Sequence, residues 1–264
     1  MIYRLKSHHK EAIDKLVEEF KDNSRYLAVL IVGSIAKGME RDDSDIDIIL
    51  VVSDEEYEKR KRRNRLVYFE TRFCNYPGGY IDGKIINLEF LKLVAERGSE
   101  PARDAFRDAI IGFSKIPNLE SLIKKITLYQ KEEKSDKLRK FYAQFEIANW
   151  FIKEAERRGD NYLLTRAITD LILFGGRLIL AHNEILYPFH KLFMNELKNA
   201  SEKPDNLIQL IDTLLEERNT KNAQALYDAI KNFRKWDIKE FAPVRFMLDT
   251  ELAWIEGKIY VGDI

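Results

Sequence analysis

Two aspartates one residue apart, Asp45 and Asp47, stand at the start of an apolar run that continues to Val52. On a strand, a period of two puts both carboxylates on one face and Ile46 and Ile48 on the other. Their Cα atoms are then ~7 Å apart. Mg²⁺ takes oxygen ligands at about 2.1 Å, and paired catalytic metals sit about 3.5 to 4 Å apart. Two such side chains can share a two-metal site; taken alone, the pair can equally face solvent at a strand end. Upstream, residues 27–32 are continuously apolar and branched, as in a buried strand, and Gly33-Ser34 ends that run. Gly33 lets the backbone approach a phosphate, and Ser34 with nearby N–H groups can donate to it. Lys37 adds a mobile point charge, Gly38 lets the chain turn back, and Ser44 is placed to cap or orient the aspartates.

A third acid is offered by Tyr80-Ile81-Asp82-Gly83-Lys84-Ile85-Ile86. Read as a core strand, this segment puts Asp82, Lys84 and Ile86 on one face. Read as a turn, Asp82-Gly83 is the tip of a type I′ hairpin. Asn87 then caps a helix whose buried face is Leu88, Leu91 and Ala95, with Glu89 in its first turn, where the helix dipole favours an acid.

A strand, a Gly-Ser turn, a short helix and a strand bearing Asp-x-Asp together resemble the DNA polymerase β-like nucleotidyltransferase superfamily. Its signature is Gly-Ser followed after about ten residues by Asp-apolar-Asp. The matching residues are Val32-Gly33-Ser34-Ile35-Ala36-Lys37-Gly38 and Ser44-Asp45-Ile46-Asp47-Ile48. The resemblance covers roughly the first 95 residues and implies a mixed sheet with flanking helices. It also implies two Mg²⁺ ions and transfer of a nucleoside monophosphate, with ATP the expected donor, to an acceptor hydroxyl. Carried over, Asp45 and Asp47 are metal ligands, and Gly33 and Ser34 contact the triphosphate. Lys37, Ser44 and Lys84 are further candidates for the nucleotide side. The superfamily's third carboxylate, on a later strand, falls on Asp82, with Glu89 as the fallback. Gly83 stands where an apolar residue is usual.

The surrounding elements read as follows. Residues 7–22 have helical spacing at Ile13, Leu16, Val17 and Phe20, with Ser7 as cap and His8 and His9 solvated in the first turn. Ser53-Asp54-Glu55-Glu56 starts a helix that ends in five cations, residues 59–63, a helix C-terminus by preference and a phosphate-binding run only secondarily. Residues 66–73 are β-prone and residues 75–79 form a turn. From Gly98 onward strand-like runs give way to helical periodicity, punctuated by Gly98, Pro101 and Pro117. The expected fold class is therefore α+β: a catalytic domain over residues 1–98 and an all-α bundle, the acceptor-binding domain, over residues 99–264. One stripe of the bundle is Leu138, Phe141, Tyr142, Phe145, Ala148 and Ile152, and a second apolar helix over residues 163–181 is interrupted at Gly175-Gly176. Arg177 and His182 match the arginine, four residues, histidine pattern of HEPN ribonuclease domains, although a plain helix end explains the histidine as well. Tyr187, His190 and Lys191 flank Pro188 and are candidate lining for an acceptor pocket.

Composition narrows the partners. The 264 residues carry 44 Lys plus Arg and 44 Asp plus Glu, so no global charge favours nucleic acid or an anionic membrane. No run approaches the ~20 apolar residues of a membrane span, and the first residues lack a signal peptide's apolar core. The lone Cys74 cannot form an internal disulfide and reads as an apolar filler in a reducing, cytoplasmic compartment. The expected reaction partners are a nucleoside triphosphate and a small-molecule acceptor. The competing readings are an antitoxin-like module that modifies a protein, a HEPN-type toxin, and a nucleotide-binding protein without catalysis.

Overall fold

The computed structural model describes residues 5–257, which divide into two compact units between Leu128 and Tyr129. The first unit is built on a five-stranded sheet. Its elements are α1 (Ser7–Lys21), β1 (Tyr26–Ile31), α2 (Gly33–Ala36), β2 (Ile46–Val52), α3 (Asp54–Arg62), β3 (Val67–Glu70), β4 (Ile81–Asn87), α4 (Leu88–Arg97), α5 (Glu100–Asp104), β5 (Ile110–Ser114) and α6 (Leu119–Thr127). The strand order is β3-β4-β2-β1-β5. Only β2 and β4 run parallel, so the sheet is mixed.

Alternation along the strands divides two cores. Ile46, Ile48 and Leu50 of β2 pack with Ala12, Leu16 and Phe20 of α1 on one face. Ile49 and Val51 pack with Leu91, Val94, Ile123 and Ile126 of α4 and α6 on the other. Asp47 shares the second face by the period of two, at the end of β2 that the α4–α6 layer leaves open to partial solvent.

Helix boundaries follow their caps where a side chain supplies one. Ser53 Oγ accepts from the Glu56 N–H at 3.3 Å, and Asn87 Oδ1 accepts from the Phe90 N–H at 3.0 Å. The expected Ser7 cap is corrected: Lys6 is the cap residue, without a side-chain bond, and Ser7 is the first helical residue. Strand structure also continues past Gly98. Residues 110–114 pair antiparallel with β1 and extend the first unit to Leu128, beyond the expected limit at 98. This strand is short and only half-buried, with Gly112 at its centre, so it has neither the length nor the alternation that marks a strand in sequence. The glycine also fits closely: a Cβ there would lie 2.9 Å from Val17 Cγ2 of α1, which would have to shift.

The second unit is helical: α7 (Lys134–Arg158), α8 (Asn161–His182), α9 (His190–Asn199), α10 (Leu207–Glu216), α11 (Thr220–Phe233) and α12 (Ala242–Asp249). The aromatic stripe of α7 is core, with Phe141, Phe145 and Ile152 fully buried. Gly175-Gly176 does not interrupt α8. A Cβ on Gly175 would lie 2.6 Å from Ile230 Cδ1 and one on Gly176 2.3 Å from Phe193 Cζ, so the pair lets α11 and α9 pack closely on an unbroken helix. Among the described residues no helix is long and apolar enough to cross a membrane.

Candidate active site

The site grows from the register of two strands. In the parallel pair β2/β4, Asp47 lies directly beside Asp82, and Ile48 beside Gly83. Asp45 precedes β2 on the same side. Together Asp45, Asp47 and Asp82, all half-buried, offer carboxylate oxygens that lie within 4.8 Å of one another. The hairpin-tip reading of Asp82-Gly83 is thereby overturned: both residues lie inside β4, flanked by β2 and β3. Gly83 has its own reason. A Cβ there would sit 2.1 Å from the Ile48 carbonyl oxygen, so the apolar residue usual at that place would push β4 off β2 and take Asp82 with it. Glu89 lies exposed in the first turn of α4, beyond the far end of β4. At about 3.3 Å per residue, the strand from Asp82 to Asn87 alone separates it by roughly 16 Å from the acids.

Gly33 lies against Asp47. It adopts φ +66°, and a Cβ there would fall 1.9 Å from Asp47 Oδ2. The glycine therefore leaves the space that the Asp47 carboxylate occupies. Ser34 follows in the first turn of the four-residue α2, half-buried next to the acids' loop.

The other three residues expected on the nucleotide side have these surroundings. Lys37 is no mobile charge: its side chain is 8% exposed, with Nζ 2.9 Å from Asp104 Oδ2 of α5, so it ties the Gly-Ser turn to the helical layer. Ser44 is buried, its Oγ accepting from the Arg41 N–H at 2.9 Å, which closes the turn before Asp45. Lys84 is exposed, two residues along β4 from Asp82 and beside Val67 of β3.

Several residues that shape the site had no role in the sequence reading. Tyr80 sits just ahead of β4; the negative charge of Asp45, with that of Asp82 and Asp47, pushes its phenol up. Its signal was the two-residue spacing to Asp82, which puts both on one side of an extended chain. Tyr76 donates to the Ser44 carbonyl at 3.0 Å, and its ring meets both His8 and His9 of α1. His9, expected to be solvated, is fully buried, because residues 39–45 and Tyr76 fold over the first turn of α1. Burial, then the neighbouring His8, lower its basicity, with the Ser44 backbone and Glu40 acting the other way and Lys6 adding to the lowering.

His9 gives a pH prediction. Its folded pKa lies below the ordinary 6.5, so the unfolded chain takes up the proton more readily. The stability it contributes is full above about 6.5 and is lost as pH falls through the folded value. Thermal unfolding followed from pH 8 to pH 5 should show a falling midpoint, and His9→Phe should flatten that fall. An identical slope in the variant would contradict this role.

In the helical unit two of the expected site residues, Arg177 and Tyr187, are buried in the core. Arg177 is 1% exposed and lies between the rings of Phe141 and Tyr187, 4.2 and 4.3 Å from their centroids. His182 is held by Glu202 at 2.9 Å and by Arg234. Five residues apart on one helix, Arg177 and His182 point about 140° away from each other, and the structure does not bring them together as a ribonuclease pair. Tyr187 is 1% exposed core, with its hydroxyl 3.1 Å from His190 Nδ1, so it lines no open pocket; His190 and Lys191 are exposed. Of the five cations in residues 59–63, Arg60 pairs with Glu56 and donates to Tyr26, as a helix end would. Burial pushes the Cys74 thiol up, in keeping with a filler.

Residues 13–91 match the family model described as a nucleotidyltransferase domain. Among solved structures, a nucleotidyltransferase-like protein from Exiguobacterium sibiricum 255-15 is similar to this chain, at 11% identity and a TM-score of 0.47. The match covers 84% of this chain and 73% of that one. No curated protein matches.

Proposed function

We propose, from the premise that residues 13–91 are a nucleotidyltransferase domain, that this enzyme moves a nucleoside monophosphate from a nucleoside triphosphate to a hydroxyl of a small-molecule acceptor, releasing pyrophosphate. ATP is the expected donor, and the reducing cytoplasm the expected setting. The observation that carries the reading is the set of three carboxylates on adjoining strands, within 4.8 Å of one another, next to the Gly33-Ser34 turn.

The donor set fits Mg²⁺. It consists of hard carboxylate oxygens only, and like charges so closely grouped are stabilised by a shared cation. Asp45, Asp47 and Asp82 would hold one ion, and Asp45 with Asp47 a second. When bound, such ions offset charge on the phosphates and lower the pKa of a nearby hydroxyl.

The chain's own residues do the remaining work. The missing side chain of Gly33 lets Asp47 and the turn lie close together, and Ser34 donates to the triphosphate. The Lys37–Asp104 pair holds that turn in place. Asp82 accepts the proton of the attacking hydroxyl, and Lys84 supplies a positive charge near the phosphates. Holding the acceptor oxygen in line with the α-phosphorus is the larger contribution, since pre-positioning can supply roughly 7–11 kcal/mol of a barrier.

The test is release of pyrophosphate from α-labelled triphosphates with Mg²⁺, across a panel of hydroxyl acceptors. Release that requires Mg²⁺, prefers ATP and disappears in Asp47→Asn is the expected result. No release from the wild type, or equal release from the variant, would overturn the reading.

A further inference from the structure

The acids do not end at β4. In the antiparallel pair β3/β4, Phe69 lies directly opposite Asp82, and Asp82 lies beside Asp47, so one row across the sheet reads Phe69, Asp82, Asp47. Residues opposed in register project to the same face. Phe69 is therefore the next side chain beyond Asp82, on the side away from Gly33, which follows β1. It is 64% exposed, and Val67, on the same face of the same strand, is 73% exposed. The Phe69 ring lies 5.4 Å from the ring of Tyr80, inclined by 32°. A bare phenylalanine and valine on an edge strand invite aggregation, so a solvent-facing pair here costs the protein something unless it is used.

We infer that Phe69, backed by Tyr80 and extended by Val67, is the surface on which the acceptor lies, and that the acceptor is an alcohol whose hydroxyl is carried next to a flat apolar or aromatic ring. The inference rests on the transfer reading and on the line of that reaction. The acceptor oxygen forms a bond to the α-phosphorus while the bond from that phosphorus to the bridging oxygen breaks. The electron pair leaves with pyrophosphate, and the hydroxyl proton passes to Asp82. Attack and departure lie on opposite sides of the phosphorus. Pyrophosphate departs toward the Gly33-Ser34 turn at one end of the row, so the acceptor enters from the other end, where Phe69 stands. A ring stacked on Phe69 sets its attached hydroxyl over Asp82, the group that takes its proton.

The test compares two alcohols with the same hydroxyl chemistry and different bodies, 3-phenylpropane-1,2-diol and glycerol, with triphosphate and Mg²⁺ and with water alone as the background. The wild type should use the ring-bearing diol about tenfold better in kcat/KM, the size expected of one aromatic stacking contact. Phe69→Ala should reduce that preference to within about threefold through the KM of the alcohol, leaving the KM of the triphosphate unchanged, and Phe69→Trp should restore it. Phe69 is exposed enough that neither change should disturb folding, which a thermal melt checks. Equal use of the two alcohols, failure of both to exceed water, or a rise in the triphosphate KM in Phe69→Ala would each overturn the inference while leaving nucleotidyl transfer standing; the last would mark Phe69 as a support for the base. Absence of any Mg²⁺-dependent pyrophosphate release from the wild type would remove both.

Discussion

Asp82→Asn should lower Mg²⁺-dependent pyrophosphate release by about 10³-fold or more, while Glu89→Gln stays within about twofold. The amide keeps the size of the carboxylate, so the β2/β4 pairing of Asp47 with Asp82 and the packing of Ile81 and Ile85 should survive, and the melt of the variant should match the wild type. What is lost is one negative oxygen of the three that meet within 4.8 Å, together with the group placed to take the hydroxyl proton. Triphosphate binding should be affected less than turnover, because Asp45 and Asp47 remain. A loss in kcat with little change in the triphosphate KM is the signature to look for. Glu89 serves as the control because it sits in the dipole-favoured first turn of α4, at the wrong end of β4. If Glu89→Gln were the damaging change, the third acid would be misassigned.

The second large effect should come from one methyl group. Gly33→Ala places a Cβ 1.9 Å from Asp47 Oδ2, and ordinary contact needs about 3.4 Å or more, so the carboxylate or the turn must move by more than an ångström. A displacement of that size at reacting groups costs about 10²-fold in rate. The alanine also has to accept φ +66°, a strain of about 1–2 kcal/mol. Gly38→Ala separates the two effects. Gly38 has the same φ of +66°, but nothing lies within 4 Å of its Cβ position. Both variants should melt earlier by a similar margin; only Gly33→Ala should lose most of its activity. Equal activity in the two would show that the collision with Asp47 is unimportant.

The contrast between these two positions indicates how much of the molecule could be read beforehand. The Gly33-Ser34 turn and the Asp45/Asp47 pair were legible because their chemistry is local: strand periodicity orients the aspartates, and a break in an apolar run marks the turn. The strand carrying Asp82 was legible as a strand. That Asp82 and not Glu89 joins the pair depends on the register between β2 and β4, and no pattern within either strand encodes it. The same holds for the row that continues to Phe69. Nothing around Lys37 in the sequence points to its ion pair, because Asp104, its partner, is distant in sequence and lies in a five-residue helix with Pro101 in its first turn. His9 looked solvated because one helix turn does not reveal that the Tyr76 loop folds onto it. In the helical unit the periodicity was a good guide to the helices, and the two glycines of α8 misled only because their tight neighbours, Ile230 and Phe193, come from later helices. Arg177 shows the limit of short motifs: the pattern is present, but the side chain is enclosed by Phe141 and Tyr187.

The central claim is that Asp45, Asp47 and Asp82 form one two-ion centre for nucleotidyl transfer, and ion counting tests it most directly. Mn²⁺ bound per chain, followed by electron paramagnetic resonance with a non-hydrolysable triphosphate, should reach two in the wild type. It should fall to one in Asp82→Asn and to none held by the protein in Asp47→Asn. Unchanged Mn²⁺ binding in Asp47→Asn, or no ion bound by the wild type with triphosphate present, would contradict the account.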